Sequence, residues 1–175
     1  MRISLPLHLY IAIVVVPLLF AAPAQAFEAD GFASGMSRDQ IAASAVNRGL
    51  EAWDSIFDNL TIGKQIDARI DGMFSFCKGR MSWYNRPIDF TAEYYPSVEA
   101  LLSRFGQPKS TVIDQQPWSG PGGGYIRTIS TVWAHDKDRI TLSVSPEGRD
   151  GKGGLRHNTG ASITYSASTQ CSSKN

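Results

Sequence analysis

Histidine, cysteine and net charge are all in short supply in this chain. Its 175 residues include three histidines and two cysteines, and seventeen basic residues face sixteen acidic ones. That balance argues against a general nucleic-acid binder, whose phosphate contacts need a basic stripe. No run of like charges suggests a polybasic membrane patch. There is no G-x-S-x-G nucleophile elbow and no H-E-x-x-H metal motif. Neither cysteine belongs to a C-x-x-C pair, which removes zinc-type spacing and a thioredoxin-like thiol. After the first 26 residues no apolar run is long enough to cross a bilayer.

The leading segment is what the sequence does have. Arg2 precedes an apolar stretch from Leu9 to Ala22, broken by Pro17 and followed by Ala24-Gln25-Ala26. A basic start, a short apolar stretch and small residues at the cleavage site describe a secretory signal peptide, cut after Ala26. The expected product, residues 27–175, is a single domain of 149 residues in the periplasm or outside the cell. The leader takes one basic residue and no acid with it, leaving sixteen of each sign. In an exported chain, Cys77 and Cys171 read as a disulfide that pins the C-terminal tail. Two separate buried thiols are the alternative.

Periodicity predicts few helices and many strands. Ser37 and Gln40 form an S-x-x-Q capping box, Asp39 suits the first turn, and Gly49 ends the helix. Trp53, Ile56, Phe57 and Leu60 follow helical spacing, so residues 50–62 lean towards a short helix, though the segment has no clear cap and an extended return to the sheet is the alternative. Lys64 to Ile70 reads as a strand with Asp71-Gly72 as a turn; Met73 to Cys77 and Arg80 to Asn85 flank a second turn at Lys78-Gly79. Val98, Leu101, Leu102 and Phe105 mark a second helix from Pro96, stopped by Gly106. Thr111–Asp114, Tyr125–Ala134, Ile140–Ser145 and Ala161–Ala167 read as strands. The expected class is α+β: an antiparallel sheet with two or three helices on one face, in what reads as two helix-plus-hairpin units.

Gly35-Met36-Ser37 entering a helix, and Leu101-Leu102-Ser103-Arg104-Phe105-Gly106-Gln107-Pro108 leaving one, resemble motifs of BamE/SmpA and beta-lactamase-inhibitor-protein-like envelope proteins. Phe76-Cys77-Lys78-Gly79-Arg80 is similar to a strand of uncharacterised exported bacterial proteins. The resemblance covers about a fifth of residues 27–175. It implies a compact α+β module that binds other proteins, and it carries over no functional residue. The lipid-attachment cysteine of the BamE pattern is missing.

Two Gly-rich segments are the candidate recognition loops. Trp118-Ser119-Gly120-Pro121-Gly122-Gly123-Gly124-Tyr125 offers an aromatic anchor on a backbone that a partner can approach closely. Gly148 to Gly160 adds Arg149, Lys152, Arg156 and His157. The expected binding residues are Trp118, Tyr125, Arg149, Arg156 and His157, and the expected partner is another envelope or extracellular protein. A plain connector is the competing reading of each loop. No catalytic residue, cofactor or metal is expected: Asp136-Lys137-Asp138 supplies too few oxygens for calcium, and Gly148–Gly154 is a single copy of a repeat that binds only when stacked. An envelope hydrolase would have to draw on His135, Asp136 and His157. Trp83-Tyr84-Asn85-Arg86-Pro87 with Tyr94-Tyr95 reads as a satellite core cluster rather than a glycan-stacking platform. An exposed strand edge would make the chain's partner a second copy of itself.

Overall fold

Alternating apolar and hydroxyl residues in the C-terminal half, and aromatic alternation in the N-terminal half, both require one face of a sheet to be buried. The computed structural model describes residues 27–55, 58–117, 124–135, 138–150, 155–156 and 160–167. Residues 1–26 and 168–175 lie outside these. A small hairpin opens the fold, β1 (Glu28–Ala29) and β2 (Phe32–Ala33). Helix α1 (Arg38–Val46) comes next, then β3 (Glu51–Asp54), β4 (Leu60–Lys64), β5 (Arg69–Cys77) and β6 (Arg80–Ile88). Helix α2 (Phe90–Phe105) leads into β7 (Ser110–Pro117), β8 (Gly124–His135), β9 (Asp138–Asp150), β10 (Leu155–Arg156) and β11 (Gly160–Ala167).

The strand order is β3-β4-β5-β6-β11-β9-β8-β7, antiparallel throughout, with β10 beside the far end of β9. The fold is α+β, as the patterns indicate. Each half is one helix followed by a meander of four main strands, and the fourth strands, β6 and β11, meet at a central seam. One core unites both halves. It takes Ile41 and Ala45 from α1, Leu101 from α2, and inward residues of β4, β5, β6, β8, β9 and β11, with Ala52 of β3 packed against it.

Several local expectations need correction. Within 50–62 the described residues form β3 and the start of β4 rather than a helix, and residues 56 and 57 lie outside those described. Helical spacing loses there because the segment has no cap, while Ser55 N–H donates to the Asn59 carbonyl (2.8 Å) and closes a hairpin. The turn expected at Asp71-Gly72 is interior to β5; the chain turns earlier, through a 3-10 turn at Gln65–Asp67 and a left-handed Ala68. Gly72 is needed in the strand because a Cβ there would come within 2.8 Å of the Tyr84 ring. Helix α2 starts at Phe90, not Pro96. Asp89 caps it by accepting from Ala92 N–H (2.7 Å), and Glu93 accepts from Asp89 N–H (2.8 Å). Two satisfied donors at the start let the helix carry Pro96 inside, at the loss of one backbone bond to Ala92. Strand β9 also continues through Gly148, which the sequence assigns to a loop.

The expectation of a Cys77–Cys171 bridge is corrected to what one end shows. No disulfide joins two described residues, since Cys171 lies outside them, while Cys77, closing β5, is disulfide-bonded and not a free thiol. No described helix is long and apolar enough to cross a membrane.

Candidate binding surface

Beyond the core, the sheet continues as a ribbon. Ile129 and Val144 pair as the last core-facing residues of β8 and β9 among the described side chains. A bulge then interrupts the ladder between Arg127 and Ile129. A bulge adds twist and re-aims the strand beyond it. Past it, β8 and β9 extend together with β7 on one side and β10 on the other. The register sets Pro117 beside Tyr125, Tyr125 beside Arg149, and Arg149 beside Leu155. The next row is Gln116, Ile126, Gly148 and Arg156.

This register answers where the two Gly-rich segments lie. Gly124 pairs with Asp150, so the connection before Gly124 and the one after Asp150 leave the sheet at the same end. Tyr125, Arg149 and Arg156 fall within two adjacent rows of that end. Trp118 and His157 lie outside the described residues, one position beyond Pro117 and Arg156. The Arg127 guanidinium lies 5.9 Å from the Tyr125 ring centroid, a cation–π distance. Sequence reading missed Arg127. Its signal is the spacing of two in a strand, which puts residues 125 and 127 on one face. Thr128 and Ser145 hydroxyls bond at 3.1 Å beneath them.

Of the alternative catalytic set, the described backbone includes His135 alone. His135 pairs with Asp138 at the opposite end of the β8–β9 hairpin. Ten residues of strand, roughly 33 Å, separate Asp138 from Gly148, where Arg156 pairs. Asp136 and His157 lie outside the described residues. Among the described residues no group of three His, Cys, Asp or Glu side chains could hold a metal.

A second polar cluster sits at the seam, and its role is structural. Tyr84 and Arg86 both point inward from β6, because strand alternation puts them on the face that Trp83 and Asn85 leave. An arginine at an inward strand position needs a partner. The Tyr84 hydroxyl donates to Asp30 Oδ2 (2.9 Å), Arg86 Nε lies 3.4 Å from the same oxygen, and Arg86 Nη1 donates to Glu93 Oε1 (2.9 Å). Arg48 donates to the Asp30 carbonyl and stacks over Phe32 at 4.4 Å. Burial, with the Asp30 carboxylate beside it, pushes the Tyr84 phenol far above its usual range. The Glu93 carboxyl is held low by the Asp89 N–H and by Arg86. This chain of contacts joins the β1–β2 turn, the sheet and α2. Tyr84 therefore belongs to the main core, not to a satellite cluster, while Tyr95 on α2 is exposed.

No family model, curated protein or solved structure matches this chain.

Proposed function

We propose that this is an exported, non-enzymatic binding module that recognises another envelope or extracellular protein through the end of the β7–β10 ribbon. One observation carries the reading: the pairing of Gly124 with Asp150 and of Tyr125 with Arg149 gathers both Gly-rich connections at one end. Tyrosine and arginine dominate binding energy at protein interfaces, and Tyr125 and Arg127 already touch there. Tyr125, Ile126 and Arg127 of β8 are not part of the described core, so their side chains can serve contact rather than stability. Export rests on the leader, residues 1–26.

The test is a crosslinked pull-down from envelope extract with the oxidised 27–175 chain, its Tyr125→Ala and its Trp118→Ala variants. A specific partner captured by the parent and lost by both variants, at unchanged melting temperature, supports the reading. A partner retained by both variants overturns the assignment of this surface.

Carbohydrate binding is a second reading with its own observation. The helix-free face of the sheet carries Trp83, Asn85, Ser130, Thr141, Ser143, Ser162 and Thr164, all half-buried, with Asn85 Nδ2 donating to Thr164 Oγ1 (2.9 Å). Glycan-array binding lost in Trp83→Ala and kept in Tyr125→Ala would favour that face instead.

A further inference from the structure

The two edges of the main sheet are finished in opposite ways. Edge strand β3 has four residues, begins and ends on an acid, and is tied down by Arg38, which pairs with Asp54 and with Asp58. Short length, charge and a covering ion pair are the devices that keep an edge from pairing with another chain. Edge strand β7 is long, has no covering ion pair among the described residues, and carries a single charge, with its proline only at the last position, Pro117. It runs eight residues, all exposed, in an unbroken register with β8. It carries no lysine or arginine between 110 and 117, and its β-branched Val112 and Ile113 are 50% and 69% exposed. Its one charge, Asp114, is folded back on its own strand, accepting from Gln115 N–H (2.8 Å) and Gln116 Nε2 (3.0 Å).

We propose that β7 pairs antiparallel with β7 of a second copy, centred on Val112. The sequence of the edge is complementary to itself in this register. A two-fold axis normal to the sheet sets Val112 against Val112 of the other copy. Thr111 then meets Ile113 on one face, and Ser110 meets Asp114 on the other, each twice. β-Branched residues thus face β-branched residues, and each Ser110 hydroxyl can donate to a lone pair that Asp114 has left over. Moving the centre to Ile113 would set Val112 against a carboxylate, and centring on Asp114 would oppose two like charges. The occupant is therefore this same chain rather than an unrelated peptide. Each main sheet has eight strands along its path, so the dimer has sixteen, with the two ribbon ends pointing in opposite directions. A dimer of this kind offers two copies of the ribbon end to partners. It goes beyond the binding reading and is tested apart from it.

The test uses the oxidised 27–175 chain in sedimentation velocity across a dilution series, with Val112→Lys beside it, and copper-phenanthroline oxidation of Val112→Cys and Asp114→Cys. Directly opposed residues have Cα atoms about 4.5–5.5 Å apart, within disulfide reach, whereas two Asp114 positions are more than ~10 Å apart in this register. The expected results are a dimer for the parent, a monomer with an unchanged circular dichroism spectrum for Val112→Lys, and a covalent dimer from Val112→Cys only. A parent that stays monomeric, a dimer indifferent to Val112→Lys, or crosslinking through Asp114→Cys in place of Val112→Cys overturns it. None of these outcomes bears on whether the ribbon end binds a partner.

Discussion

Strands β3 to β6 of the first half are four to nine residues long, and the aromatic pair Phe74 and Tyr84 centres their inward face; β7 to β9 of the second half run eight to thirteen, and their described inward face is aliphatic with one tryptophan. In the first half Phe74 stacks on Tyr84 at 4.7 Å, with Phe32 packed against both. In the second, Ile140, Leu142 and Val144 are flanked by Trp133, whose Nε1 donates to the Gly106 carbonyl (2.9 Å) and ties the end of α2 to β8. Among the described residues, β8 runs on from Ile129 to Gly124 beyond the core. The difference teaches where function can be sought: in the long β8–β9 pair, where strand outruns the described core.

The sharpest way to break the comparison is to remove the centrepiece of each half. Tyr84→Ala and Trp133→Ala should each cost about 3–5 kcal/mol, the usual range for a buried aromatic. Because one core spans both halves, each variant should still unfold in a single denaturant transition, with coincident circular dichroism and tryptophan fluorescence. Two separated transitions would mean that the halves are independent units.

Gly63→Ala strikes the first half alone. Its Cβ would lie 2.0 Å from the Arg69 carbonyl oxygen at the β4–β5 bulge, so backbone must move. A loss of about 1–3 kcal/mol is expected from overpacking, measured as a shift in urea midpoint with the slope unchanged. Asp30→Asn tests the seam. It keeps a residue that tolerates the positive φ of 52° and removes the charge beside Arg86, for an expected loss of about 1–3 kcal/mol. No change in stability would show that Glu93 suffices for Arg86.

Alkaline pH should loosen the same seam. The Tyr84 and Tyr165 phenols are both raised, chiefly by burial and then by the Asp30 carboxylate. A raised value means stability fully present below the ordinary phenol range near ~10 and lost as pH rises above it. The loss is at most about 1.4 kcal/mol per pH unit for each group. Tyr84→Phe should flatten that slope in a pH series of urea melts; an unaltered slope would remove Tyr84 from the account. The smallest effect belongs to the ribbon. Tyr125→Ala should leave stability within about 0.5 kcal/mol while changing partner capture.

Where local chemistry and packing agree, the sequence was readable. Ser37 and Gln40 make the capping box that their spacing implies. Lys78 and Gly79 both take positive φ in the turn expected of them. Alternation in Ile140–Ser145 and Ala161–Ala167 matches the buried rows. Legibility failed where a distant partner decides. Trp53 and Leu60 keep helical spacing yet sit in neighbouring strands, because Trp53 pairs with Thr61 and Asp54 with Leu60. Gly72 reads as a turn residue until Tyr84, twelve positions on, is known to lie against it. Of the candidate surface, Tyr125, Arg149 and Arg156 could be picked by residue type. Their shared end depends on a β8–β9 register that no local pattern encodes, and Arg127 became visible only through its ring contact.

The β1–β2 hairpin also constrains the order in which the chain can fold. Phe27 stacks on Tyr165 at 5.7 Å, joining almost the first described residue to almost the last. Closing so long a loop is among the slowest kinds of contact to form, since its entropy is lost before the contact compensates. The hairpin therefore has no finished seat until β11 is laid between β6 and β9. A chain emerging from its N-terminus carries its keystone from the start and must wait for its final strand before setting it.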